Sequence, residues 1–280
     1  MRIAVTGGNG FIGQATILAG RTMGHEMFSF DRSEGNDVLG NLNRLTNFAP
    51  DSIIHLAGVL GTHELFDNPE EAVQVNIIGT LRILEFCRNY NCGYVGITMP
   101  PVFPSIYTAT KICTDRIATA YRREHGIAVA KVRAFNVFGS GQAYGPGHPQ
   151  KIIPTFAVKS WRREPIPIWG DGRQTVDLID STQVGRILIE ATQYHNDVIF
   201  DAGSGTPYTV NEVAAFVNAV TGSLVPNEYL PMRRGEEPTE IVAQGQNWEL
   251  LSWEPRFDME ALVATVNSYH AQAQLEVSGA

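Results

Sequence analysis

Cysteine is scarce in this chain: Cys87, Cys92 and Cys113 are the only three in 280 residues. Their spacing matches no metal-ligand pattern, which excludes a disulfide framework or a zinc centre as the basis of the fold and fits a reducing compartment. Positive charge is in short supply too. Lys and Arg number 21 against 29 Asp and Glu, a formal net charge of −8. That balance excludes a broad basic surface for nucleic acid or an anionic membrane, so an anionic ligand has to be met by local arginines and helix ends. No apolar run reaches membrane-spanning length, and because the first strand-like run begins at Arg2 no signal peptide is expected ahead of it. There is no internal repeat. The expectation is a soluble, cytoplasmic protein with no metal and no nucleic-acid or membrane partner.

What the chain does have is 44% hydrophobic residues, enough for one large core or two unequal ones. Strand-like runs alternate with helical ones almost to the end, the pattern of an α/β protein with a parallel sheet. The most informative stretch is the first. Arg2 to Thr6 reads as a buried strand, Gly7, Gly10 and Gly13 follow, and an apolar helical pattern runs on through Phe11, Ile12, Ala15, Ile17 and Leu18. Strand, glycine turn and helix in that order bring backbone N–H groups and a helix N-terminus to a pyrophosphate. Gly7 makes the turn, Gly10 lets the backbone approach phosphate, and Gly13 lets the helix pack on the strand. A second strand, Glu26 to Phe30, ends in Asp31, an acid placed to accept both adenosine-ribose hydroxyls and to repel a 2′-phosphate. NAD is therefore expected over NADP.

Further along, Asp37, followed by Val38, either reaches the adenine amino group or caps a helix carrying Leu39, Leu42 and Leu45. Asp51 to Leu56 reads as a third strand, and Leu56, Ala57 and Gly58 let a dinucleotide lie against its end. His55, inside that apolar run, is expected to be a satisfied core residue. A long helix after Pro69 is apolar over much of its circumference, which predicts burial against the sheet and a partner subunit. Asn76 is its polar exception, suited to a helix-to-loop hydrogen bond that shapes the floor beside a nicotinamide. Tyr94 to Thr98 is the fourth strand; Met99 to Pro104 is too proline-rich for regular structure. Ser105 then caps a helix to His125, and Ile127 to Phe135 is the fifth strand.

Tyr107 and Lys111 stand four residues apart, on one face of the helix after the proline-rich loop. A phenol has a pKa near 10, so using it as a base at pH 7 takes roughly 4 kcal/mol of differential stabilisation. An ammonium about 4–6 Å away offers roughly 3–4 kcal/mol at an effective dielectric of 20, and the positive ring of an oxidised nicotinamide adds to it. The pair suits removal of an alcohol proton as hydride leaves carbon.

The sequence resembles the extended short-chain dehydrogenases/reductases, in particular the NAD-dependent sugar-nucleotide epimerase/dehydratase group. The resemblance rests on Thr6-Gly7-Gly8-Asn9-Gly10-Phe11-Ile12-Gly13, Ile54-His55-Leu56-Ala57-Gly58, Asn76-Ile77-Ile78-Gly79-Thr80, Tyr107-Thr108-Ala109-Thr110-Lys111, Arg133 to Gly139, Gly170 to Thr175 and Ala202 to Gly205. It implies a cofactor site formed by Gly7, Gly10, Phe11, Ile12, Gly13, Asp31, Asp37, Val38, Leu56, Ala57, Gly58, Asn76, Tyr107 and Lys111. It also implies a Rossmann-type, doubly wound domain over 1–165 to which 176–202 returns, a smaller C-terminal substrate-binding lobe over 166–280, Tyr107 as base, Lys111 on the nicotinamide ribose, and Asn136 on the sugar or its pyrophosphate. Pro231 to Glu237 looks like the family's arginine-bearing phosphate segment, with Arg233 or Arg234 as its arginine; Arg234 is the candidate taken forward. The family usually places a Ser/Thr well before the tyrosine, with a sugar-covering loop between. Here only Met99 to Ile106 intervene, so Thr98 is the hydroxyl donor expected, with Ser105 and Thr108 nearby. Relatives often carry a phosphate-binding arginine where this chain has Val176, and Arg173 is placed to substitute.

The function expected from this is 4-epimerisation of a nucleoside-diphosphate sugar through a 4-keto intermediate, by a homodimer packed through the helices after Pro69 and Ser105, with Ile78, Leu81 and Phe86 on the first. A 4-keto reductase is the nearest alternative. A dehydratase is disfavoured because Thr98-Met99-Pro100 lacks the Asp-Glu pair of those relatives, and a non-catalytic dinucleotide sensor has no need of Tyr107 and Lys111.

Overall fold

In the computed structural model, which describes residues 1–100 and 102–275, the β-branched runs become strands and the amphipathic runs the helices between them. In chain order the first half consists of β1 (Arg2–Thr6), α1 (Phe11–Thr22), β2 (Glu26–Phe30), α2 (Asn43–Phe48), β3 (Ser52–His55), α3 (Pro69–Ala72), a π-helical stretch (Val73–Ile78), α4 (Gly79–Tyr90), β4 (Gly93–Thr98), α5 (Ile106–His125) and β5 (Val129–Ala134). Then come β6 (Asn136–Phe138), α6 (Ile152–Trp161), β7 (Pro167–Trp169), β8 (Thr175–Asp180), α7 (Ser181–Ala191), β9 (Asn196–Ala202), β10 (Pro207–Thr209), α8 (Val210–Thr221), β11 (Glu228–Leu230), α9 (Met259–Ser268) and α10 (His270–Leu275).

The main sheet has six strands in the order β2-β1-β3-β4-β5-β9, and every pairing in it is parallel. Alternate residues of each strand feed opposite layers. Ile3, Val5, Ile54, Val95 and Val132 pack on Ile17 of α1 and Ile187 and Leu188 of α7. Ala4, Ile53, Tyr94 and Val129 pack on Leu45 of α2, Ile83, Leu84 and Cys87 of α4, and Ala118 of α5. Helices on both faces of a parallel sheet make this a doubly wound α/β fold. The chain leaves β1 toward β2 on one side and crosses to β3 on the other, so the strand order reverses beside β1 and opens a crevice at the strands' C-terminal ends. A separate core of Phe138, Phe156, Leu178, Val213 and Leu262 lies beneath the three-stranded sheet β10-β8-β6.

Several expectations are corrected. The helix expected to carry Leu39, Leu42 and Leu45 begins only at Asn43. Asp37 Oδ1 accepts from Leu39 N at 2.8 Å and Asn41 Oδ1 from Asn43 N at 2.6 Å, and these two side-chain turns hold the backbone out of a helix until then. Among the described residues 31–51 contain no strand, which leaves β2 at the sheet edge. Of 176–202, α7 and β9 join the main sheet, whereas β8 pairs with β6 and β10. The long helix after Pro69 is interrupted by its π-helical stretch at the position of Asn76. Pro101, within the proline-rich loop, lies outside the described residues.

Candidate active site

The glycine turn after β1, Asp31 after β2 and Leu56 to Gly58 after β3 lie at the C-terminal ends of neighbouring strands. Gly7 has φ +69°, a left-handed conformation that glycine adopts at no steric cost, and a Cβ there would lie 2.9 Å from Ala57 N. A Cβ on Gly13 would sit 2.2 Å from Gly7 O, so only glycine lets α1 pack this closely on the turn. Gly10 is the N-cap of α1 and supplies no capping side chain. The first amides of α1, at Phe11, Ile12 and Gly13, are thus left for a ligand and carry the positive end of the helix dipole. Phe11 and Ile12 are half-buried, and the Phe11 ring lies against Gly139.

Asp31, at the end of β2, accepts from Asn9 N at 3.0 Å through Oδ2 and from Ser33 N at 2.9 Å through Oδ1. Partial burial raises its pKa, but the Ser33 and Asn9 hydrogen bonds and the Arg32 charge outweigh that and hold it below the ordinary value. The acid stays ionised beside the glycine turn. Asp37 spends one oxygen on Leu39 N and stands 3.7 Å from Arg32, while Val38 is 3% exposed and packs in the core. Leu56, Ala57 and Gly58 follow β3 as a half-buried strip.

Opposite this strip, Asn76 accepts from Val59 N at 2.8 Å through Oδ1 and donates to Val59 O and Thr110 Oγ1, each at 3.1 Å. The helix-to-loop bond expected of Asn76 is present, and the π-helical turn aims the side chain into it. A Cβ built on Gly58 would lie 3.0 Å from Asn76 Oδ1 and 4.0 Å from Lys111 Nζ, which places the lysine against the same strip. Lys111 Nζ stands 5.8 Å from the centre of the Tyr107 ring. Burial pulls the lysine down to about 8 and pushes the tyrosine up to about 12. Bringing that phenol to ionisation at pH 7 takes about 7 kcal/mol, more than the free amino acid would need. The lysine charge, an oxidised nicotinamide and a bound hydroxyl have to supply it together.

Around the tyrosine, the three candidate hydroxyls differ in what they already do. Ser105 caps α5, its Oγ accepting from Thr108 N at 3.1 Å, while Thr108 Oγ1 accepts from Ser105 N at 2.7 Å. Both are committed to a capping box. Thr98, the last residue of β4, makes no side-chain hydrogen bond with the described residues. Asn136 opens β6 directly after β5, half-buried.

The expected phosphate side chains differ in how far they are enclosed. Arg173 lies on an outer turn with 86% of its side chain exposed, 3.8 Å from Asp171. Arg234 is exposed and stacks on Phe66 at 5.4 Å. Arg233 is better enclosed, 4.8 Å from the Trp169 ring centre and 2.6 Å from Glu236. Sequence reasoning passed over Lys151. It is half-buried, and its pKa is lowered by burial in spite of Glu64 and Glu236, with Arg233 also nearby. Glu236 is hydrogen-bonded by Thr62, and Arg234 O lies 3.3 Å from His63 Nδ1. The loop after β3 and the 231–237 segment therefore meet across the crevice, a contact between residues far apart in sequence that no local signal announces.

A tyrosine and a lysine one helical turn apart, over a dinucleotide crevice at a strand-order reversal, are the hallmark of the short-chain dehydrogenases/reductases of extended type, and the chain is of that class. The family described as "NAD dependent epimerase/dehydratase family" matches residues 3–98 and 96–203. The chain belongs to that NAD-dependent family. Among its relatives are a UDP-glucose 4-epimerase of Corynebacterium glutamicum, 26% identical over 94% of both chains, and a dTDP-glucose 4,6-dehydratase of Xanthomonas campestris pv. campestris, 23% identical over 98% of this chain and 94% of the relative. The fold superposes on a UDP-glucose 4-epimerase of Thermotoga maritima, solved with UDP-glucose, with a TM-score of 0.87, 24% identity and coverage of 97% and 99%. No helix among the described residues is long and apolar enough to cross a membrane.

Proposed function

We propose that the protein is an NAD-dependent 4-epimerase of a nucleoside-diphosphate sugar. The observation that carries this reading is the Tyr107–Lys111 pair, 5.8 Å from ammonium to ring, at the mouth of a crevice whose glycine turn and uncapped α1 fit a dinucleotide pyrophosphate. Gly7, Gly10, Gly13 and the first α1 amides would hold that pyrophosphate, Asp31 the adenosine ribose, and Ala57, Gly58, Asn76 and Lys111 the nicotinamide half. Bound NAD would supply hydride-transfer chemistry at sugar C4, so that the 4-keto sugar formed there can be reduced again on its opposite face. Tyr107 takes the C4 hydroxyl proton as the carbonyl forms and gives it back as the alcohol reforms. Lys111 favours the phenolate by its charge. Thr98 donates to the reacting oxygen; its uncommitted hydroxyl supports that role over Ser105 and Thr108.

The lobe from 166 to 280 grips the nucleotide, with 1–165 and the returning α7 and β9 holding NAD. In this reading Asn136 meets the sugar or its pyrophosphate. The enclosed position of Arg233 beside Lys151 supports these two over Arg234 and Arg173 as the first cations to meet the diphosphate. The relatives named UDP-glucose 4-epimerase support a UDP-sugar. Helices α3 to α5 present Val73, Ile78 and Ile112 at 42, 36 and 58% exposure, while Phe86 is already buried in its own subunit. These exposed side chains support a homodimer through that face; a monomer in sedimentation at micromolar concentration would remove it.

The test is to incubate purified protein with UDP-glucose and with UDP-glucuronate, identify the products, and identify the nucleotide released on denaturation. Retained NAD and a C4 epimer are expected. Exchangeable NADPH and reduction of a 4-keto sugar would install the reductase instead, and a 4-keto-6-deoxy product the dehydratase.

A further inference from the structure

His55 is 4% exposed at the end of β3, and both of its ring nitrogens are bonded. Nδ1 lies 2.7 Å from Thr6 Oγ1, and Nε2 lies 3.0 Å from Thr80 Oγ1. Its neighbours decide where the protons sit. The Thr80 hydroxyl donates to Asn76 O at 2.6 Å, so its oxygen faces His55 with a lone pair and Nε2 carries the ring hydrogen. Thr6 Oγ1 already accepts from Ala57 N at 3.2 Å, so its own hydrogen points to Nδ1. The buried Tyr94, its ring centre 6.1 Å from that of His55, sets its hydroxyl against Thr80 as well, and both ring nitrogens are matched once the imidazole is neutral and protonated at Nε2. A second ring proton would face the Thr6 hydroxyl donor and stand in the field of Lys111.

The row does not stop at the histidine. Asn76, whose carbonyl takes the Thr80 hydrogen, clamps Val59 with its side chain and donates to Thr110 Oγ1. Thr110 in turn donates to Tyr107 O at 2.8 Å. The hydrogen-bonded path therefore starts where β1 enters the glycine turn, crosses the end of β3, passes through the π-helical stretch, and ends on the first turn of α5.

The geometry points to His55 as a positioning residue: a neutral imidazole of one tautomer that ties the end of β1 to the Asn76 turn and thereby sets where α5 presents Tyr107 and Lys111. It touches neither proposed ligand, and its effect on turnover rests on the Tyr107–Lys111 reading given above. The helical interruption acquires a reason here. A π-turn at Val73–Ile78 lets Asn76 face Val59 and Thr110 while its carbonyl remains available to Thr80, and such turns concentrate at functional sites.

The test separates positioning from packing with matched variants. His55→Asn can reach Thr6 but is too short for Thr80. Thr80→Val keeps the shape and loses both hydrogen bonds; Thr80→Ser keeps both. Misplacement of reacting groups costs turnover steeply, so His55→Asn and Thr80→Val are each expected to lower kcat by about 10–10²-fold with KM and NAD affinity within about threefold. Thr80→Ser should restore kcat, and the double variant should be no worse than the poorer single one, because both cut the same row. Two readouts need no substrate. The ¹⁵N resonances of His55 in the wild type should report an unprotonated Nδ1 and a protonated Nε2 from pH 5 to 9. The ¹³Cζ resonance of Tyr107, identified by its loss in Tyr107→Phe, should move in Thr80→Val and return in Thr80→Ser. If the wild type turns over no nucleotide sugar yet these resonances behave as stated, the functional reading falls and the positioning stands. A ring protonated at Nδ1, a His55 that titrates within that range, additive kcat losses, or a Tyr107 resonance indifferent to Thr80→Val would overturn it.

Discussion

Along the floor of the crevice a row of uncharged, buried polar groups runs up to the helix of Tyr107 and Lys111, each member with its partners: Thr6, His55, Thr80, Asn76 and Thr110 form one hydrogen-bonded row. Across the rim the polar groups are ionic. Glu64, Lys151, Arg233, Arg234 and Glu236 come from three separated segments and are half-buried or exposed, with Arg233 holding Glu236 at 2.6 Å. A buried neutral network is costly to break, since each orphaned group loses its desolvation compensation. The rim pair is ionic, its Arg233 and Glu236 side chains 23% and 9% exposed, so an incoming anion competes directly with Glu236 for the guanidinium. The floor is thus suited to hold one geometry for hydride and proton transfer, and the rim to trade an internal carboxylate for an incoming diphosphate.

Breaking the floor at its reacting end should have the largest effect. Tyr107→Phe is expected to cut turnover by about 10²–10⁴-fold, the worth of a positioned acid–base group, while NAD affinity stays within a few-fold. Thr98→Val should cost less, about 10–10³-fold, because it removes a hydrogen bond and leaves the proton acceptor. Steady-state rates of the two variants check the order. If Ser105→Ala costs more turnover than Thr98→Val, the donor has been misassigned.

The buried histidine gives the floor a pH signature. Its folded-state pKa is lowered by burial, and further by the Lys111 charge, to about 3 from 6.5. The unfolded chain therefore takes the proton first as pH falls. Stability from this group is fully present above pH 6.5 and is lost progressively toward pH 3, by up to about 5 kcal/mol. Urea unfolding of wild type and His55→Asn across that range isolates the group, since other acid-sensitive residues are common to both. Parallel curves would contradict it.

The smallest effect belongs to the adenosine end. Asp31 should make NAD bind at least about tenfold tighter than NADP, through two ribose hydrogen bonds and repulsion of a 2′-phosphate. Asp31→Ala should narrow that gap in calorimetry, and a wild-type preference for NADP would reverse the assignment.

The same contrast explains what the sequence made legible. Floor residues lie in contiguous motifs with local geometry: the glycine turn directly after β1, Ala57-Gly58 after β3, and Tyr107 and Lys111 one turn apart. Strand positions and the Ser105 cap follow from patterns of the same short range. His55 was identifiable as a satisfied core residue, but the row it belongs to spans Thr6 to Thr110 and exists only once the strands are in register. The rim was harder still. Thr62 meets Glu236 across the crevice, Lys151 is enclosed by groups from both segments, and nothing in the local sequence marks either. Arg173 sits in a recognisable Gly-Asp-Gly-Arg turn, yet its side chain is 86% exposed, because the turn projects from β7 and β8 away from their packed faces. The helix expected over Leu39 failed on short-range chemistry, two side-chain turns that outcompeted it.

The central claim is that hydride leaves C4 of a nucleotide sugar and returns to the same carbon within one enclosed site. UDP-glucose carrying deuterium at C4 tests it most directly, with the product examined by mass spectrometry and NMR. The account predicts a C4 epimer that retains the deuterium at C4 with no exchange into solvent. A product that has lost the label, or whose configuration at C4 is unchanged after prolonged incubation with UDP-glucose and the other UDP-sugars, would contradict it.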